Sequence, residues 1–172
     1  LGRALQGDAT MQCYCVSLTL HMDRTADPTM VMHMGAYAVP PDETFGTDAA
    51  NAPAVDKQPG IGYAPLRGQV TWTQRFFNES VLWQHPGGDM FDTPDAVTSV
   101  DSYGKYTLSS SAMLGRLLAL LQRADRPMLA YVLRSLTKQR RSAKSFVPRE
   151  HAEPALRPHL VVTCASLAPP VT

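Results

Sequence analysis

The chain closes on its clearest β signal. His159-Leu160-Val161-Val162-Thr163 is apolar and β-branched, and Pro158 before it forces an extended approach. Such a run reads as a buried strand. Placing it last constrains the fold, because its partner must be a segment made much earlier. Residues 11–22, "MQCYCVSLTLHM", read as an early strand with one apolar face, in which Tyr14, Val16, Leu18 and Leu20 share one parity.

Between them the pattern is one of short extended pieces. Residues 29–39 alternate Met30, Met32, Met34 and Ala36 against Val31, His33 and Tyr37. Residues 69–74 and 80–84 are extended and anchored by Trp72 and Trp83, which read as core aromatics rather than a sugar platform. A hairpin is expected over residues 96–108 and a strand over 127–136. One amphipathic helix is expected at about 109–124: Met113, Leu117, Leu120 and Leu121 share a face, serines stand at its start and Pro127 lies beyond its end. Residues 42–67 read as a long loop. Charged residues are 18% of the chain and prolines number 14, against roughly 25% charge in an average domain. These features predict an all-β, jelly-roll-like antiparallel sandwich with one short helix. The sandwich domain spans 11–165, residues 1–10 form a linker or processed segment, and 166–172 form a tail.

Net charge is +1, which supplies no field for nucleic acid or an anionic membrane. No apolar run approaches the ~20 residues of a membrane span. The five histidines are scattered, and no nucleophile elbow, phosphate loop or dinucleotide motif is present. The chain therefore reads as a non-enzyme.

The order of "VTW" (70–72), Trp83, "PGGD" (86–89), "GKY" (104–106), "YVLRS" (131–135), Phe146, Arg149-Glu150 and "RPHLVVT" (157–163) resembles the DNRLRE-type domain, related to carbohydrate-binding modules of family 96 and disaggregatase-related modules. The resemblance covers about residues 11–163 in outline and is good from about Val70. It implies a jelly-roll sandwich on secreted or cell-surface proteins, in which the closing strand sits centrally in its sheet beside an early strand, here residues 11–22. Two departures stand out: the family's opening strands have no counterpart, and Pro148 replaces the Ser before Arg-Glu. The first implies a sandwich completed by an upstream segment or another chain. Arg149 and Glu150 are expected to clamp the turn feeding the last strand.

Candidate site residues follow. Arg134, Lys138, Arg140, Arg141 and Lys144 form a basic loop suited to the carboxylates or sulfates of an acidic polysaccharide. Asp89, Asp92 and Asp95 are oxygen ligands at short spacing, so structural Ca²⁺ is the one metal considered; the default is turn-forming aspartates without a cofactor. Cys13 and Cys15, two apart in a strand, should face the same side, and a bridge from Cys164 to either would tie the first strand to the last. Asn78 opens an Asn-Glu-Ser glycosylation triplet. The leading expectation is a non-catalytic structural or adhesive module of an extracellular or cell-surface assembly. The alternatives are a carbohydrate-binding module for an acidic polysaccharide and an intracellular subunit of a large complex.

Overall fold

The computed structural model describes residues 11–41, 67–124, 128–137 and 141–166. The 1–10 segment, loop positions 42–66 and the tail from 167 lie outside the described residues, as do Lys138 and Arg140. The chain divides into two units, Leu1–Ala38 with Asp92–Thr172, and Val39–Phe91. The expected single 11–165 sandwich is therefore interrupted by a second unit.

The first unit is an antiparallel sandwich. In chain order its strands are β1 (Met11–Thr25), β2 (Met32–Ala38), β5 (Ala96–Val100), β6 (Gly104–Ser109), β7 (Tyr131–Ser135), β8 (Lys144–Phe146) and β9 (His159–Ser166), with helix α1 (Ser111–Leu121) between β6 and β7. One sheet has β1 at its centre, with β6 on one edge and β8 and β9 sharing the other. The second has the order β5-β2-β7. The pairings are nested in the jelly-roll manner: β2·β5 lies inside β1·β6, and β2·β7 lies inside β1·β9. The links β1–β2, β5–β6 and β7–β8 each cross from one sheet to the other.

The core sits between the sheets because two period-2 patterns face each other. Val16, Leu20 and Met22 of β1 and Leu108 of β6 meet Met32, Met34 and Ala36 of β2 with Ala96 and Val100 of β5. Met113 and Leu117 of α1 close the cluster. Ser110 caps that helix, its hydroxyl accepting from the Met113 N–H at 3.1 Å. β2 is also buried on its other face, where the Tyr37 ring lies over Gly35. A Cβ at Gly35 would stand 2.8 Å from Tyr37 Cε2 and 3.1 Å from Pro94 Cβ, so only glycine fits beneath the ring.

β9 pairs with β1, as the sequence predicts: Val162 is opposite Val16, and Leu160 is opposite Leu18. Its position corrects the expectation of a central, buried strand. Among the described residues β9 pairs with β1 alone, and Leu160 and Val161 remain 42% and 46% exposed. A β-branched run marks a strand without marking its place in the sheet, so composition could not distinguish centre from edge. β8 runs along Met22–Thr25 and β9 along Met11–Thr19 of the same β1 edge. They are two halves of one edge strand, separated by an excursion over residues 147–158.

The expected bridge from Cys164 is present, and the expected common face of Cys13 and Cys15 is a second correction. Cys13 is bonded to Cys164, its cross-strand partner. Between them and the next pair, Cys15 with Thr163, Tyr14 is an extra residue on β1. This β-bulge reverses the alternation. Cys13 therefore shares the face of Cys164, while Cys15 points to the opposite face as a free thiol, its Sγ 3.8 Å from Ser109 Oγ.

The second unit contains β3 (Gln74–Phe76) and β4 (Val81–Leu82), which pair as a small hairpin. They form their own sheet rather than joining the sandwich. No helix among the described residues is long and apolar enough to cross a membrane.

Candidate functional site

The antiparallel pairings bring the described parts of three crossover links to one end of the sandwich: residues 26–31, 101–103, and 136–137 with 141–143. Thr25 of β1 stands opposite Lys144 of β8, and Met22 opposite Gly104 of β6. At this end the Lys144 ammonium donates to Thr25 Oγ1 at 2.8 Å, to the Asp27 carbonyl at 3.1 Å and to the Asp101 carbonyl at 2.8 Å. An ammonium has three donors, and here they tie β8 to the end of β1 at Thr25 and to two links at Asp27 and Asp101. The Ala26 N–H also donates to the Ala143 carbonyl at 3.1 Å. Lys144, expected in a polysaccharide-binding loop, is thus first a fastener of turns.

Two carboxylates rigidify the same links. Asp27 accepts from the Thr29 hydroxyl at 2.6 Å and its N–H at 2.9 Å. These bonds lower its pKa, and the charges of Arg141 and Lys144 act in the same direction. Asp101 accepts from the Tyr106 hydroxyl at 2.8 Å and from the Ser102 N–H, which lowers its pKa too.

Beside this end a pocket of about 520 Å³ opens between the β7 edge of one sheet and β8 of the other. Met32 and Met34 form its floor, and Leu133 and Phe146 its apolar walls. Ser135, Thr137, Arg141 and Lys144 form its rim. Arg141 is exposed and adopts φ 64°. It makes no ion pair or hydrogen bond among the described residues. Arg134 is exposed on β7 but does not line this pocket.

The three aspartates do not form one ligand set. Asp89 lies in the second unit and accepts from the Gln84 N–H at 3.0 Å, the His85 N–H at 2.9 Å and Arg75 Nη2 at 3.1 Å. Burial pushes its pKa up, but those bonds and the Arg75 charge outweigh it, and the net shift is downward. Asp95 and Asp92 belong to the sandwich unit. Asp95 is buried, paired with Arg116 Nε of α1, and accepts from the Tyr131 hydroxyl at 3.2 Å. Burial, then the Asp95 charge, pushes the Tyr131 pKa well above its ordinary value. This trio joins α1 to β5 and β7. Asp92 is exposed. No group of three or more His, Cys, Asp or Glu side chains comes together among the described residues.

In the second unit the two tryptophans part company. Trp83 is buried, its Nε1 donating to the Thr71 carbonyl at 3.0 Å and its ring lying beneath the Arg75 guanidinium at 5.6 Å. Trp72, expected in the core, is 72% exposed. Its six-membered ring rests against Gly87, where a Cβ would come within 2.7 Å of Cη2. The chain turns there at φ 99°, a conformation that glycine alone adopts without cost. Asn78 is exposed at φ 61° in the β3–β4 turn. Arg149 and Glu150 pair with each other on the surface at 2.6 Å. The bond that closes the excursion before β9 comes from Arg157 Nε to the His151 carbonyl at 2.7 Å. His21 Nδ1 meets the Leu156 carbonyl at 3.1 Å, which holds the excursion against β1.

Sequence reasoning missed the pocket floor, because Met32 and Met34 read only as core. It also missed the exposure of Trp72, for which the Gly-Gly after Pro86 was the available signal. Comparison with protein-family models, with curated proteins and with solved structures yields no match.

Proposed function

We propose that this chain is a non-catalytic structural or adhesive module of an extracellular assembly, engaged through the open edge of β9. The observation that carries this reading is the character of that edge. β9 is eight residues long and contains no Lys, Arg, Asp, Glu, Pro or Gly. Edge strands are ordinarily guarded by charge, proline, bulges or short length. This one carries no such side chain, pairs with β1 alone among the described residues, exposes Leu160 and Val161, and is fastened to β1 by Cys13–Cys164. A strand fastened on one edge in this way is suited to accept a partner's strand on the other through main-chain hydrogen bonds. The disulfide fits an oxidising compartment, and the resemblance to DNRLRE-type domains supports a surface or matrix setting.

The test is incorporation into the surface or matrix fraction of the producing cells. Wild type should be retained there. Val161→Lys places a charge on the edge strand, and should leave the protein folded but in the medium. Equal retention of the two would remove the β9 edge from the account.

A second reading, binding of an acidic polysaccharide, is favoured in the second unit by the exposed Trp72 ring held over Gly87 and, separately, in the sandwich unit by the exposed Arg134. Sugar rings stack on such aromatics, and guanidinium forks match carboxylates. Retardation in a polyuronate gel that is lost in Trp72→Ala would support it. Unchanged migration in gels with and without polyuronate would exclude it.

A further inference from the structure

The pocket between β7 and β8 differs from both surfaces invoked above. Its inner part is apolar and soft, with Met32 and Met34 at the floor and Leu133 and Phe146 on the walls. Methionine floors adapt to irregular apolar guests. Its rim is cationic. Lys144 is bonded to a hydroxyl and two carbonyls, so its charge has no carboxylate in direct contact. Arg141 holds its guanidinium in no ion pair among the described residues; the Asp27 carboxylate feels both charges at longer range.

We infer that this pocket binds a small amphiphilic carboxylate, its apolar body against Met32, Met34, Leu133 and Phe146 and its carboxylate at Arg141. The volume, about 520 Å³, falls within the range of small-molecule sites, ~300–1,000 Å³. A polyhydroxylated sugar would bury hydroxyls against methionine and phenylalanine without partners, which is costly. A bare inorganic anion would leave the apolar walls wet. An aliphatic chain ending in a carboxylate satisfies both parts, and arginine pairs with that head group in a bidentate way. The inference stands whether the module is adhesive or sugar-binding, since neither reading uses the pocket floor.

The test uses decanoate and the whole chain with its methionine methyl groups isotope-labelled; the eight methionines sample the entire molecule. Saturable shifts centred on the Met32 and Met34 methyls are expected. Arg141→Asn removes the guanidinium while keeping a residue that tolerates the left-handed φ of 64°. It should weaken decanoate binding about tenfold or more, the usual scale for losing a charge-assisted contact. Decanol should bind more weakly than decanoate to the wild type and equally to both proteins. Acetate should leave the Met32 and Met34 methyls unmoved. The inference is overturned by non-saturable shifts, by shifts centred on other methionines, or by decanoate affinity equal in wild type and Arg141→Asn.

Discussion

Replacing Cys13 and Cys164 together by serine opens a covalent loop with a sequence separation of 151. In the chain-entropy view, closing a loop of that length removes about 5 kcal/mol of denatured-state freedom, and native disulfides typically return about 2–5 kcal/mol. A domain of this kind holds about 5–15 kcal/mol in total, so the double variant should be close to marginal. For a chain of this size each kcal/mol moves Tm by about 2–4 °C, giving an expected fall of roughly 4–20 °C. The assay is thermal and urea unfolding followed by circular dichroism on oxidised samples of wild type and both variants, with a reduced wild-type control. Cys15→Ser is the internal comparison. The Tyr14 bulge places Cys15 on the opposite face from the bridge, so that variant should lose under about 1 kcal/mol and keep the Cys13–Cys164 peptide in a non-reducing map. A double variant within about 1 kcal/mol of the oxidised wild type would refute the reasoning. So would a map joining Cys15 to Cys164.

Two further outcomes follow from the sandwich unit. Lys144→Met keeps the aliphatic stem but deletes the three donors that join the crossover links; it should cost about 1–3 kcal/mol, whereas Arg141→Asn should cost within about 0.5 kcal/mol, both read from urea midpoints. Tyr131, whose phenol is held protonated by burial and by Asp95, contributes stability that is complete below its unfolded pKa of about 10. That contribution is lost as pH rises toward the higher folded value, because the unfolded state releases its proton first. Unfolding midpoints should therefore decline above about pH 10 in the wild type and decline less steeply in Tyr131→Phe; parallel curves would contradict the Asp95–Tyr131 contact.

Several parts of this structure could be read from residue order. The alternation of Val16, Leu18 and Leu20 specifies one face of β1, and the late β-branched run marks β9 as a strand that pairs with an early one. The helix is marked by Ser110 and the Met113–Leu117 spacing, although it runs only over Ser111–Leu121. What escaped depends on single residues acting at a distance. The extra residue Tyr14 shifts register by one and so decides which cysteine meets Cys164; period-2 reading has no means of seeing a bulge. Edge and centre look alike in "HLVVT" because β-propensity reports a pleated, half-buried surface rather than a number of neighbours. Lys144 reads as one charge among several in a basic loop, and its role appears only when the end of β1 and two links converge on it. Trp72 and Trp83 occupy similar local patterns, and their opposite fates depend on Gly87 and Arg75.

The account depends most on the β9 edge being open in the isolated chain and covered in the assembly. Hydrogen exchange resolved over residues 159–166 tests this directly. In the isolated chain, amides directed at β1 should be protected and their alternating neighbours should exchange quickly. In the assembled state the fast set should become protected. Uniform protection of these amides in the isolated chain, or an unchanged fast set after assembly, would contradict the proposal.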